Sequence, residues 1–143
     1  MSNRKISDII RTQQLLTAPA TLTVRQAAQN MTALKVGAVM VVEGERLIGI
    51  FTERDALNRV LTPGLDPDRT PLSQVMTADP QTVTADHSLG YALHLMHIGG
   101  YRHMPVTHNG SPRGIVSVRD ALGEELLEFE KELKDIDHIT ELL

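Results

Sequence analysis

A heptapeptide occurs twice in this sequence, and its repetition restricts the possible folds more than any other feature. Residues 49–55 read GIFTERD, residues 114–120 read GIVSVRD, and Ala-Leu follows both copies. The glycine, the hydroxyl residue, the arginine and the aspartate occupy the same places in both copies, which begin 65 positions apart (49 and 114). Self-similarity at a fixed separation is typical of a duplicated structural unit. We therefore expect two halves of similar fold.

The similarity extends upstream of the heptapeptide. At the same separation, the following residues coincide: Ala27 with Ala92, Met31 with Met96, and Val41 with Val106. The opening segments ISDII (6–10) and LSQVM (72–76) are also alike, one position further apart. Between the halves lies TPGLDPDRTP, whose proline, glycine and aspartate content is typical of a loop. We therefore place the first repeat at 1–61, a linker at 62–71, the second repeat at 72–126 and a C-terminal helix at 127–143.

Both halves show the same pattern of predicted secondary structure. Apolar residues recur at helical spacing in 24–35 and 88–98, and two short strands joined by a turn follow each helix. The predicted strands are 38–42 and 47–51 in the first half, and 103–107 and 113–116 in the second. A short helix, 5–11 or 72–77, opens each half, and another helix begins at the heptapeptide. The predicted fold class is α+β, with the order β-α-β-β-α occurring twice.

Composition excludes several classes of protein. The chain has no cysteine, which excludes disulfides, thiol catalysis and cysteine-ligated metals. Its formal net charge of −4 disfavours a nucleic-acid-binding surface. No apolar run approaches the ~20 residues that span a bilayer, and the opening sequence MSNRKISDII lacks the apolar core of a signal peptide. We expect a cytoplasmic protein with no membrane partner and no nucleic-acid partner.

The heptapeptide has a purely structural interpretation. Thr52 and Ser117 stand where a strand is expected to end and a helix to begin, which is the position of a helix N-cap. Asp55 and Asp120, three residues later, can complete a capping box. Helix capping alone therefore explains why both copies contain these residues.

The same residues also suit a nucleotide. A helix N-terminus presents unpaired backbone N–H groups and partial positive charge to a phosphate, and a hydroxyl adds a donor. The aspartate can accept two hydrogen bonds from a ribose diol, as acidic residues do in dinucleotide-binding folds. Arg54 and Arg119 can neutralise phosphate charge. At this point, both capping and nucleotide binding remain open.

With two copies of Gly-x-x-Ser/Thr-x-x-Asp, each closing a β-α-β-β-α unit, the chain resembles a tandem pair of CBS domains (cystathionine β-synthase domains), or Bateman module. The segments SDII and SQVMT near the start of each half, and RHMPV at 102–106, support the resemblance, which covers about 6–126. In that family, the two halves pack through their sheets about a pseudo-twofold axis and leave two clefts. The resemblance implies that these clefts bind adenosine-type ligands: AMP, ADP, ATP, NAD or S-adenosylmethionine.

The resemblance also implies roles for individual residues. Asp55 and Asp120 would hold the ribose hydroxyls, and Thr52 and Ser117 would contact phosphate. The remaining cleft residues implied by the family are Ile50 and Ile115 near the adenine; Val36, Gly37, Ala38, Tyr101, Arg102 and His103 where the middle strands begin; and Thr21 and Asp86 beside the base. Only the second half supplies an Arg-His pair at the start of its middle strand, so we expect the two clefts to be unequal.

We therefore expect a non-enzymatic regulatory module whose ligand is an adenine nucleotide, most readily AMP, ADP or ATP. It would report the ligand through a change of shape or of affinity for an effector protein that the sequence does not identify. A homodimer is expected because the family often pairs into a disc of four motifs. No catalytic cofactor and no metal site are expected: His94 and His97 share a helix face, but no further ligand stands at a convincing spacing. The alternative is an interaction protein whose clefts bind no small molecule.

The C-terminal segment carries a heptad pattern. Apolar residues recur at alternating steps of four and three, with Thr140 in one place, at Leu122, Leu126, Phe129, Leu133, Ile136 and Leu143. Glutamates and lysines fill the other faces. The pattern predicts an amphipathic helix that either packs on its own domain or contacts a helix of another chain.

Overall fold

The computed structural model describes residues 4–142, without the side chains at 124, 125, 127 and 137–142. The first half contains α1 (Ile6–Ile10), β1 (Thr17–Pro19), α2 (Val24–Leu34), β2 (Ala38–Glu43), β3 (Arg46–Thr52) and α3 (Glu53–Asp55), which continues as a π-helical segment (Ala56–Leu61). The second half contains α4 (Leu72–Val75), β4 (Thr77–Ala78), α5 (Leu89–Gly99), β5 (His103–His108), β6 (Ser111–Ser117), a 3-10 turn (Val118–Leu122) and α6 (Gly123–Leu142). The chain is therefore an α+β protein of two repeats with a C-terminal helix, as the sequence predicts.

The central helix of each half begins and ends at residues suited to those positions. The Thr23 side chain accepts a hydrogen bond from the backbone N–H of Gln26 and so caps α2, and Ser88 caps α5 in the same way. Lys35 and Gly100 end the two helices in the left-handed conformation, with φ of 56° and 74°. Glycine adopts this conformation without steric cost, so Gly100 suits the end of α5.

Antiparallel hairpins form the centre of both halves. In the first half, β2 pairs with β3, β1 lies parallel to β2, and β4 adds to the other edge of β3, so the strand order is β1-β2-β3-β4. In the second half, β5 pairs with β6, and the first strand is reduced to one parallel bridge between Val83 and Val106. Strand β3 contacts both β5 and β6, so the two halves meet through their sheets.

The two hydrophobic cores exchange their short opening helices. Leu72 and Val75 of α4, which opens the second repeat, are buried in the cluster around Phe51 of the first repeat. Ile6 of α1, which opens the first repeat, is buried in the cluster that contains Val116 of the second. Each repeat therefore completes the core of the other, and the halves are interlocked. The repeat boundaries given above remain predictions about the sequence.

The C-terminal helix α6 is exposed along its described part. All side chains from Glu128 to Ile136 are exposed to solvent, including the apolar Phe129 and Leu133. The amphipathic helix is present, and the apolar residues of its described part are exposed instead of buried in either core. Thr140 and Leu143, the last positions of the heptad pattern, lie outside the described side chains.

Candidate functional site

The heptapeptides form helix caps in both halves. The backbone N–H of Asp55 donates to Thr52 Oγ1 at 3.2 Å, and Asp55 Oδ2 accepts from the Thr52 backbone N–H at 2.9 Å and from its hydroxyl at 3.1 Å. In the second half, Asp120 Oδ2 accepts from the backbone N–H of Ser117 at 2.7 Å. The structural interpretation of the motif, a capping box, is therefore confirmed.

Capping leaves part of the Asp55 carboxylate available. The cap uses Oδ2, whereas Oδ1 lies 3.6 Å from Nε of Arg59. The Arg59 guanidinium also donates to the backbone oxygens of Val75 at 3.2 Å and Met76 at 2.9 Å, which joins the motif helix to the opening segment of the second repeat. Asp55 is 9% exposed. A nearly buried carboxylate oxygen beside a cation can still accept hydrogen bonds from a ligand, so capping and ligand binding are compatible.

A cleft of about 640 Å³ lies between the halves at the first heptapeptide. This volume is within the usual range for small-molecule sites. The first half lines it with Ile50, Thr52, Glu53, Arg54, Asp55, Leu57 and Asn58, and the second half with Thr77, Pro80, Gln81, Gly100, Tyr101, Arg102 and His103. The structure therefore brings the first heptapeptide (the first motif, 49–55) together with Tyr101–His103 (the Tyr-Arg-His segment) of the other half. Arg102 and His103 therefore line the same cleft as Thr52 and Asp55 of the first motif.

Sequence reasoning missed the lining residues that come from the start of the second repeat, chiefly Thr77, Pro80 and Gln81. They reach the cleft because Thr77 pairs with Ile50 when β4 joins β3. The likeness of 6–10 to 72–76 marked these stretches as opening segments. It did not show that an opening segment crosses to the other half, so the signal was present but incomplete.

Two polar contacts cross the cleft mouth. The Tyr101 hydroxyl donates to Gln81 Oε1, and the Arg54 guanidinium donates to the backbone oxygen of Gly100 at 3.0 Å. Partial burial raises the pKa of the Tyr101 hydroxyl, so this group remains a hydrogen-bond donor at neutral pH. The Arg54 contact links the first motif to the residue before the segment Tyr101–His103.

Glycine at position 37 makes room for the charged end of the cleft. A Cβ added to Gly37 would lie 3.0 Å from Glu53 Oε1 and 3.2 Å from His103 Nε2. Any larger residue would therefore displace one of these two side chains. The backbone N–H of Glu53 also donates to the Gly37 oxygen at 3.0 Å, which fixes the approach of the two segments.

His103 is a titratable group whose pKa this environment changes. Burial lowers the pKa of His103 below its usual value of 6.5. The carboxylates of Glu53 and Asp120 oppose this change, and the guanidinium groups of Arg102 and Arg119 add to it. The imidazole therefore resists protonation and is neutral at pH 7.

This lowered pKa predicts a pH-dependent stability. As pH falls below about 6.5, the unfolded chain binds a proton at His103 before the folded chain does, so folded-state stability is lost on acidification. Between about pH 7.5 and about pH 5.5, the melting temperature of the wild type should therefore fall further than that of His103→Gln. Thermal melts followed by circular dichroism measure this difference, and His108→Gln controls for loss of an exposed imidazole. Identical pH slopes for wild type and His103→Gln would contradict the assignment.

The second motif lies against the N-terminal segment. The Gln13 side-chain amide donates to the Ile115 backbone oxygen at 2.7 Å, and its Oε1 accepts from the Ile115 N–H at 2.9 Å. The Arg4 guanidinium donates to the backbone oxygen of Asp120. By the 65-position equivalence, Gly37 and Ala38 of the first half correspond to the Arg-His pair of the second. The second motif is contacted by Gln13 and Arg4, which do not line the first cleft.

Thr21 and Asp86 do not line the first cleft, and neither do Val36, Gly37, Ala38 or the residues of the second motif. Thr21 is exposed just before the cap of α2, and Asp86 is exposed just before the cap of α5. The Asp86 carboxylate accepts a hydrogen bond from the Thr84 hydroxyl, which lowers the pKa of Asp86. Their contact with a base remains a prediction from the resemblance.

Comparison with known proteins also finds two repeats in the sequence. The family model described as "CBS domain" matches this chain twice, at residues 6–62 and 72–126. Among relatives, the CBS domain-containing protein CBSCBSPB3 of Arabidopsis thaliana is 36% identical over 123 residues, which cover 85% of this chain. This chain spans only 22% of the length of that plant protein.

Solved structures resemble the whole fold. A protein with CBS domains from Burkholderia ambifaria superposes with a TM-score of 0.79 at 26% identity, covering 86% of this chain and 94% of that one. A CBS domain protein from Pyrobaculum aerophilum, solved in complex with AMP, superposes with a TM-score of 0.77 at 25% identity, covering 88% and 96%. The match therefore extends over nearly the full length of both solved chains.

Proposed function

This chain belongs to the CBS-domain family, and from that premise we propose that it is a regulatory module that binds an adenine nucleotide in the cleft at Asp55. The observation that carries the proposal is the meeting of Asp55 and Thr52 with Arg102 and His103 in one cleft. A carboxylate suits the two hydroxyls of a ribose, and a guanidinium suits a phosphate. The AMP bound to the Pyrobaculum aerophilum relative supports this choice of ligand.

The cleft offers a place for each part of such a ligand. The Asp55 Oδ1 atom, which the cap leaves available, accepts from the ribose diol. The exposed Arg102 guanidinium pairs with the phosphate, and Ile50 and Tyr101 give the base an apolar surface. AMP, ADP and ATP fit this division better than S-adenosylmethionine. The positively charged sulfonium of S-adenosylmethionine would lie beside the positively charged guanidinium of Arg102 and be repelled by it.

The cleft lies between the halves, so a ligand would contact both. A ligand shifts an equilibrium between two conformations only by the difference in its affinity for them. Contacts with Asp55 on one side and Arg102 on the other favour the arrangement in which the halves are closest. We propose that this change of shape, with no chemical step, alters the affinity for an effector protein.

We further propose that the module works as a cytoplasmic homodimer. Leu57 and Leu61, on the helical segment that follows the first motif, are 53% and 72% exposed and would be covered by a second copy. In the part of the chain that the structure describes, no helix combines the length and apolar character needed to cross a bilayer. Sedimentation equilibrium of the wild-type chain measures the oligomeric state.

Thermal melting with a panel of ligands tests nucleotide binding. A ligand at about 100 times its dissociation constant adds about 2.7 kcal/mol to the free energy of unfolding. We expect AMP, ADP or ATP to raise the melting temperature, with NAD and S-adenosylmethionine weaker and cytidine monophosphate as the control. If no adenosine ligand shifts the melt, the alternative stands: an interaction protein whose clefts bind no small molecule.

A further inference from the structure

The C-terminal helix exposes an apolar stripe that the nucleotide cleft does not explain. The stripe consists of Leu126, Phe129, Leu133 and Ile136, each of them exposed, on a helix that runs from Gly123 to Leu142. In proteins, tertiary packing of an apolar face supplies most helical stability, and the described side chains of this stripe are exposed. The stripe is therefore expected to be covered by another helix.

Acidic side chains border the stripe on both sides. With a turn of about 100° per residue, Glu130 lies beside one edge of the stripe and Glu132 beside the other. Lys131 lies on the opposite face of the helix, and Lys134 is also turned away from the stripe. In heptad terms, the two glutamates occupy the e and g positions, which meet the partner helix across the apolar seam.

These borders argue against a second copy of α6 as the occupant. Two such helices, in either direction, would bring glutamates at e and g against glutamates at the same kinds of position. Like charges across a helix pair are destabilising, whereas Lys or Arg at those positions would form ion pairs and cover the seam with their aliphatic stems. The net charge of −4 also favours encounter with a cationic segment.

We propose that the stripe on α6 docks an amphipathic helix of another protein whose apolar face is bordered by lysine or arginine. The stripe shares no residue with the exposed pair Leu57 and Leu61 or with the lining of the nucleotide cleft. Because α6 directly follows the 3-10 turn that carries Asp120, such a partner binds next to the second motif.

Two synthetic peptides test the charge preference on the full chain. Each has about three heptads with leucine at a and d, one with lysine and the other with glutamate at every e and g. By fluorescence anisotropy, the lysine peptide should bind roughly tenfold more tightly than the glutamate peptide, because several flanking ion pairs add modest amounts. This advantage should shrink between about 0.05 M and about 0.3 M salt, because exposed charges are screened.

Charge reversal supplies the matched control. Glu130→Lys/Glu132→Lys should reverse the preference toward the glutamate peptide. Glu128→Lys/Asp135→Lys makes the same change in net charge on residues further from the stripe and should keep the preference for the lysine peptide. Leu133→Asp should abolish binding of both peptides while leaving the circular dichroism of the repeats intact.

Several results would overturn the proposal. Equal binding of the two peptides would show that the bordering charges do not select the partner. A reversed peptide preference in Glu128→Lys/Asp135→Lys would show the same. If Leu133→Asp converts a wild-type oligomer to a smaller species in sedimentation equilibrium, a second copy covers the stripe instead.

Discussion

Replacing Asp55 with alanine is expected to weaken binding of AMP by about 100-fold or more. A hydrogen bond to a charged group contributes roughly 1.5–3 kcal/mol, and a ribose diol can make two of them with this carboxylate. Each 1.4 kcal/mol corresponds to about a tenfold change in the dissociation constant. Isothermal titration calorimetry with AMP and with adenosine measures the loss, which should be similar for the two ligands because both carry the ribose.

Matched variants separate the ligand role of Asp55 from its capping role. Asp120→Ala removes the equivalent cap in the second half, and loss of a cap costs typically about 1 kcal/mol of stability. It should therefore lower the melting temperature of the chain with far less effect on AMP affinity. Arg102→Ala should weaken AMP more than adenosine, because only AMP carries the phosphate. Equal losses of AMP affinity in Asp55→Ala and Asp120→Ala would contradict the assignment of the ligand to the first cleft.

The repeat made much of the fold predictable, because each secondary-structure element is indicated twice, once in each half of the sequence. The hairpins followed from it, with 38–42 observed as Ala38–Glu43 and 103–107 as His103–His108. The exchange of α1 and α4 between the cores did not. Apolar positions in a four- or five-residue helix indicate that it is buried, but not against which half.

The residues of the candidate site were likewise predictable only in part. Asp55 and Thr52 could be identified because the motif requires particular side chains at particular spacings. Gln81 and Glu53 could not, because their places in the cleft depend on how β4 crosses to β3 and how close Gly37 comes to His103. Contacts between halves depend on the three-dimensional approach of segments, which a single sequence does not encode locally.

The exchanged helices lead to the second large prediction, which concerns Phe51→Ala. Phe51 is 0% exposed and is among the largest fully buried side chains described. Truncating a buried phenylalanine to alanine costs about 3–5 kcal/mol, which is a large part of the roughly 5–15 kcal/mol that stabilises a domain. Because each core contains a helix from the other repeat, we expect both halves to unfold in one transition, shifted as a whole to lower urea concentration.

The distribution of tyrosines makes this cooperativity measurable. The chain has no tryptophan, and its two tyrosines, Tyr91 and Tyr101, both lie in the second half, so tyrosine fluorescence reports the half that Phe51→Ala leaves unchanged. If the halves are interlocked, the fluorescence and far-UV circular dichroism transitions of the variant should coincide. Val116→Ala, at the equivalent buried position 65 residues later, removes less apolar volume and should shift both probes by the smaller cost of about 2 kcal/mol. A fluorescence transition that stays at the wild-type midpoint in Phe51→Ala would show that the second half folds independently, and that the exchanged helices do not couple the cores.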